Sequence, residues 1–220
     1  MSRVTVIGGH GKVALLTAPL LVADGHHVTS VVRNPEHVAD VERTGATAAV
    51  LDIGSASTEQ IADLLRGTDV VVWSAGAGGG NPQRTYAVDR DAAIRSVDAA
   101  AQVGVGRYVM VSYFGAGRDH GVPEGNSFYA YADAKTAADE HLQGSDLAWT
   151  ILRPSGLTLE AATGHIESGD GVVAGHVSRD NVAHVIRSVV AHPDSTAQRI
   201  LAFNDGVQPI DDVVAASDPV

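Results

Sequence analysis

Residues 6–14 read VIGGHGKVA: two β-branched residues, three glycines around a histidine, then the start of an apolar run. The stretch closes the strand-like Arg3–Ile7 (RVTVI) and opens the helix-like Lys12–Asp24 (KVALLTAPLLVAD), which Gly25 stops. Glycine is needed where a chain turns sharply at positive φ, and where peptide N–H groups must come close to a pyrophosphate. A helix beginning just after such a turn aims the positive end of its dipole at that phosphate. Two registers fit. G-x-G-x-x-A begins at Gly9, whereas G-x-x-G-x-x-A begins at Gly8. In the second, Gly8 turns the chain, Gly11 is the close-approach residue, and Gly9 and His10 form the tip. Either way the stretch Gly8, Gly9, His10, Gly11, Lys12 and Val13 borders a phosphate, provided that a strand precedes it and a helix follows.

The chain downstream supplies that context. Strand-like runs recur at His27–Val32, Ala46–Asp52, Asp69–Trp73, Arg107–Ser112 and Ala148–Leu152. Helix-like runs alternate with them at Ser57–Leu65, Thr85–Val103 and Tyr129–Gln143. Strands that are apolar throughout and alternate with helices predict a doubly wound parallel sheet of Rossmann type, covered on both faces. Pro19 inside the first helix predicts a kink or break. After Pro154 the pattern loosens. Ser155–Ser168 reads as loop, Gly171–Ala174 as a short strand, Ser178–Ala191 as helix, Arg199–Phe203 as strand and Ile210–Ala216 as a short helix. The expectation is one domain: a cofactor core over 1–154 and a small substrate-side cap over 155–220.

Positions after each strand carry the chemistry in such a sheet. The second strand ends at Arg33-Asn34, where a NAD-preferring site would place a carboxylate; Asp24 comes too early for that role. A guanidinium at this point clamps a ribose 2′-phosphate, which predicts NADP(H) over NAD(H). Asp52 either accepts from the adenine amino group, with Ile53 packed on the ring, or simply starts a loop. Ser74, Ala75 and Gly76 are small enough for a cofactor to pass close to backbone. Ser112 ends the fifth strand, and Tyr131 and Lys135 share a helix face at i, i+4. An ammonium nearby and a positively charged nicotinamide ring would favour phenolate and make the tyrosine a usable base, while the serine orients a carbonyl or alcohol. Tyr129 competes for the tyrosine's duty, and a tyrosine and lysine four apart also occur on ordinary amphipathic helices. Asp139-Glu140 reads as the solvated face of that helix.

These segments together resemble the atypical short-chain dehydrogenase/reductases, in the compact branch that includes NmrA-like and flavin/biliverdin reductase-like proteins. The likeness is carried by the G-x-x-G-x-x-A turn, Arg33-Asn34-Pro35, Leu51-Asp52, Ser74-Ala75-Gly76-Ala77-Gly78 and Val111-Ser112. It continues in Tyr131-x-x-x-Lys135 with Ala137-Ala138-Asp139-Glu140, and in Trp149-Thr150-Ile151-Leu152-Arg153-Pro154-Ser155. It spans Val4 to about Val214 and selects the register that starts at Gly8. The resemblance implies pyrophosphate at Gly8, Gly11 and the backbone of Lys12 and Val13. It also implies the 2′-phosphate at Arg33, adenine at Asp52 and Ile53, the ribose along Ser74–Gly76, and nicotinamide near the segment after Pro154. The sequence departs from the branch at His10, where a threonine or small residue is commoner, at Ala14, and in a longer Ser112–Tyr131 interval. The function expected is an NADP(H)-dependent oxidoreductase for a small carbonyl, quinone or flavin-like acceptor. Two other readings are a redox-sensing dinucleotide-binding protein with little catalysis and, more weakly, a nucleotide-sugar epimerase or dehydratase, for which the tail is short.

Composition narrows the remaining classes. The formal charge of −11 repels nucleic acid and anionic membrane, and the basic residues are scattered singly. With no cysteine, disulfides and thiolate metal sites are excluded. Ten histidines show no metal-ligand spacing, so no metal is expected. No basic leader with a long apolar core opens the chain, so a cytoplasmic protein is expected, as a monomer or homodimer with a small-molecule substrate and no nucleic-acid or membrane partner.

Overall fold

The computed structural model describes residues 1–78 and 81–216. Gly79 and Gly80, in the expected loop after Trp73, lie outside the described residues. The elements follow in the order β1 (Arg3–Ile7), α1 (Lys12–Ala23), β2 (His27–Val32), α2 (Val38–Glu42), β3 (Thr47–Val50), α3 (Thr58–Leu65) and β4 (Val70–Trp73). Next come α4 (Pro82–Thr85), a π-helical stretch Tyr86–Ala92, α5 (Ala93–Gln102), β5 (Arg107–Val111), α6 (Tyr129–Gln143) and β6 (Ala148–Pro154). The tail holds β7 (Gly156–Thr158), β8 (His165–Ser168), β9 (His176–Ser178), α7 (Arg179–Ala191), α8 (Pro193–Thr196), β10 (Arg199–Asp205), β11 (Gln208–Pro209) and α9 (Ile210–Ala215).

The main sheet runs β11-β8-β10-β6-β5-β4-β1-β2-β3, parallel from β10 to β3, with β8 antiparallel to both β10 and β11. The order 3-2-1-4-5-6 within it is that of a dinucleotide-binding sheet, which reverses direction between β1 and β4 and opens a crevice there. Side chains alternate across it. Val4, Val6, Val70, Val72 and Val109 join the core under α1 and α7. Ile7, Val71, Trp73, Tyr108 and Met110 join the core under α3, α5 and α6. Apolar side chains on both faces explain why these strands read as continuous apolar runs.

Several elements differ from expectation. α1 runs through Pro19 without a break. Pro19 is exposed, so the Leu15 carbonyl that lacks its usual N–H partner lies on the solvent side of the helix. Ser155–Ser168 contains β7 and β8. Gly171–Ala174 is not a strand: Gly169 and Gly171 have φ of +124° and +82°, Val173 is exposed, and the strand lies at His176–Ser178. The expected helix Thr85–Val103 starts earlier, at Pro82, and passes through the π-helical stretch. Much of the tail extends the sheet through β8, β10 and β11, with α7 packed on α1. No helix among the described residues is long and apolar enough to cross a membrane.

Candidate cofactor and active site

The glycine turn lies at the crevice. Gly8 has φ +89°, and a Cβ there would sit 2.6 Å from both Cα and N of Ala75. Only glycine lets β1 pass the end of β4 this closely. Gly9 donates its N–H to the Val31 carbonyl at 2.8 Å, and a Cβ on it would lie 2.6 Å from Cβ of Ser30. Gly11 donates to the Gly8 carbonyl at 2.8 Å and caps α1 without a side-chain bond. The first amides of α1, at Lys12 and Val13, therefore stand at the crevice with no capping group. A bare helix N-terminus and a turn that a Cβ would fill fit a pyrophosphate.

Two hollows meet at this turn, sharing Gly11, Ser74, Ala75 and Gly76, and form one trough across the sheet's carboxyl edge. One end is lined by Gly8, His10, Arg33, Asn34, His37, Asp52, Ile53 and Arg84. Arg33 is exposed and forms no ion pair among the described residues. Asn34 accepts from the Glu36 N–H at 3.1 Å and so caps the turn Pro35–His37. Asp52 accepts from the Gly54 N–H at 3.2 Å, and Arg95 holds the same loop through the carbonyls of Gly54 and Ala56, each at 3.0 Å. Asp52 thus both starts a loop and lines the hollow. His10, in the lining itself, meets Asp40 at 2.8 Å and stacks on His37.

The family can now be stated. The chain belongs to the NAD(P)H-binding family, whose signature matches residues 8–193. It is 35% identical to a UPF0659 protein of Schizosaccharomyces pombe, over 98% of this chain and 94% of that one. An uncharacterized sugar epimerase of Bacillus subtilis, YhfK, is 33% identical over 94% of this chain and 96% of its own. Among solved structures, one from Bacillus halodurans named for an NAD-dependent epimerase/dehydratase superposes with a TM-score of 0.88 at 30% identity. That match covers 97% of this chain and 99% of the other. Membership gives the trough a nicotinamide dinucleotide to hold, and the turn at its centre fits one.

The other end of the trough is lined by Lys12, Val13, Asp89, Ser112, Phe128, Tyr131, Lys135, Leu157 and Arg179, among others. The predicted trio is therefore in one hollow, but its members do not bond to one another. Ser112 donates to Oδ2 of Asp139 at 2.9 Å. Lys135, almost wholly buried, donates from Nζ to the Val111 carbonyl at 2.7 Å. Tyr131 packs against Tyr113 and Phe128, with ring centroids 5.4 and 5.1 Å away. Burial pushes its phenol upward, and Asp89, Tyr113 and Asp139 push it further the same way. Burial therefore favours the neutral phenol, and Lys135 makes no hydrogen bond to it among the described residues.

Two further carboxylates went unread in the sequence. Asp89 is buried in the π-helical stretch and accepts from the Ala77 N–H at 2.9 Å. A Cβ on Gly76 would meet its Oδ1 at 3.1 Å. Asp139 is not on a solvated face. It is buried and takes Nε and Nη2 of Arg153 at 3.2 and 3.1 Å, besides Ser112. Burial pushes both carboxyls up, while Lys135 pulls both back down. Burial likewise pushes Lys135 down, against the two carboxylates. Glu140 alone faces solvent, where it meets Arg118. A signal for Asp139 was present: Tyr131, Lys135 and Asp139 form one i, i+4, i+8 stripe. Asp89 had none, because an insertion of π geometry shifts the helical period.

Two predicted cofactor residues fall outside the trough lining. Gly9 faces β2, and Pro154 is buried at the end of β6, where its carbonyl accepts from Phe114 at 2.9 Å. Arg84 and His37, which line the same hollow as Arg33 and Asp52, were not anticipated. Among the described residues no group of three His, Asp or Glu is placed to hold a metal.

Proposed function

We propose that the protein is an NADP(H)-dependent oxidoreductase of the atypical short-chain dehydrogenase/reductase type, acting on a small carbonyl, quinone or flavin-like acceptor. The observation that carries the proposal is that Tyr131, Ser112 and Lys135 line one hollow beside apolar Phe128 and Leu157. In this reading the amides of Lys12 and Val13 hold the pyrophosphate. Ile53 packs on adenine and Asp52 accepts from it. Ser74–Gly76 let the ribose pass, and Arg33, with Arg84 nearby, meets the 2′-phosphate. A reduced nicotinamide supplies hydride when bound. Tyr131 then gives its proton to the acceptor atom that gains electron density, a step for which the protonated phenol is the required form. Ser112 hydrogen-bonds a carbonyl acceptor by turning its hydroxyl from Asp139 to the acceptor oxygen. Lys135 and Arg153 offset the charges of Asp89 and Asp139 beneath the hollow.

The test is turnover of NADPH and NADH against a carbonyl, quinone and flavin panel, with Tyr131→Phe alongside. The proposal expects NADPH oxidation with at least one acceptor and a loss of about a hundredfold in Tyr131→Phe, with NADPH affinity retained. Full activity in Tyr131→Phe removes the assigned role. Tight dinucleotide binding without turnover would replace the proposal with a redox-sensing role. Turnover confined to nucleotide sugars would replace it with the epimerase activity for which two of the relatives are named.

A further inference from the structure

The adenosine-side end of the trough carries an unusual concentration of cationic groups for so acidic a chain. Arg33, Arg84, His10 and His37 line it, with Asp52 the one carboxylate in the same lining. His10 and His37 lie face to face, with ring centroids 3.5 Å apart and planes 9° from parallel. Nε2 of His10 meets Oδ2 of Asp40 at 2.8 Å, and Asp40 is shared with Arg43. The His37 ring has no hydrogen-bond partner among the described residues and is held by the stack alone. The other charged group in the same turn is Glu36, which accepts from Asn34 Nδ2 at 3.0 Å.

We propose that the stacked His10–His37 pair is a proton-loaded clamp for the ribose 2′-phosphate, so that selectivity for the phosphorylated cofactor rises as pH falls. The inference rests on the assignment of Arg33 to that phosphate and extends it to residues the family pattern does not supply. Imidazole changes charge between about pH 5 and 8. A phosphate dianion beside the stack favours the charged form of imidazole, because an imidazolium there gains a charge-assisted bond. Binding of the 2′-phosphate therefore draws a proton onto the pair, and binding of a cofactor without that phosphate does not.

Adenosine 2′,5′-bisphosphate and 5′-AMP isolate this end of the trough from any turnover. Their affinities are measured by calorimetry from pH 6 to pH 8 for the unaltered protein, His37→Gln and His10→Gln. The ligand's own phosphate titrates near pH 6 and works in the opposite direction. It is common to all three proteins, so their comparison removes it. Between pH 8 and pH 6 the preference for the bisphosphate should gain about tenfold more in the unaltered protein than in His37→Gln. Repeating the titration of the unaltered protein in two buffers of different ionisation enthalpy gives the protons taken up. More should be taken up with the bisphosphate than a purely Arg-lined site would give, and this readout does not depend on a variant folding. The same pH course in all three proteins, or equal proton uptake in the unaltered protein and in His37→Gln, overturns the clamp while leaving Arg33 in place. No preference for the bisphosphate at any pH overturns the assignment of Arg33 and the clamp together.

Discussion

Gly8→Ala is the perturbation that separates the shape of the turn from its ligand. An alanine there must hold φ near +89°, and its Cβ would lie 2.6 Å from Cα and N of Ala75 and 2.8 Å from the Ser74 carbonyl carbon. Ordinary contact begins near 3.4 Å, so one backbone must recede by about 0.8 Å. The Ser74 N–H is tied to the Ile7 carbonyl at 2.9 Å, and the recession strains that bond. The left-handed backbone costs roughly 1–2 kcal/mol and overpacking roughly 1–3 kcal/mol. The expected loss is about 3 kcal/mol, read as a shift in urea midpoint at constant slope. Gly11→Ala is the control. Its φ is −63°, which any residue adopts, and its Cβ would meet only the Gly8 carbonyl oxygen at 3.1 Å and that of Ser74 at 3.6 Å. It should cost about 1 kcal/mol or less in stability, yet weaken dinucleotide binding severalfold because Gly11 lines both halves of the trough. If the two variants lose equal stability, or Gly8→Ala loses under about 1 kcal/mol, the turn does not work as described.

Three other outcomes are expected. Arg33→Ala should weaken NADPH by about tenfold to a hundredfold and leave NADH nearly unchanged, measured by nucleotide fluorescence. Asp139→Leu strands the half-buried Arg153 and should cost about 3 kcal/mol, part of which Arg153→Met restores in the double variant; chemical denaturation of the four proteins gives the coupling. Asp24 takes two bonds from Arg187, each 2.6 Å, and these with the guanidinium charge hold its carboxyl below 3.8. That stabilisation is present above pH 3.8 and is lost as pH falls through the lower folded value. Asp24→Asn should therefore cost about 1 kcal/mol at pH 7, with the two proteins converging in acid-unfolding experiments as pH approaches 2.

The division between sequence and tertiary structure follows the range of the interactions. Gly8, the β-branched runs and the helix stops at Gly25 and Gly144 act over a few residues, so the alternation of strands and helices, and with it the dinucleotide-binding sheet, was legible along the chain. So were the positions after β2, β3, β4 and β5, because a parallel sheet delivers every strand's carboxyl end to one edge. The i, i+4 spacing also placed Tyr131 and Lys135 on one face. What the chain could not disclose depends on partners far away in sequence. The Asp139 carboxylate is tied to Ser112 and Arg153, 27 and 14 residues distant, and only packing shows that its helix face is inside. Lys135 bonds the Val111 carbonyl 24 residues back, a partner that the helix's own spacing does not name. Asp89 is aimed by π geometry, and the short strand β8 exists only because β10 offers it an edge, as β8 does for β11. Local pattern determined that a dinucleotide has a place to bind. The charge state of the groups around it was decided by burial, since desolvation acts on whatever the fold encloses, regardless of its neighbours in sequence.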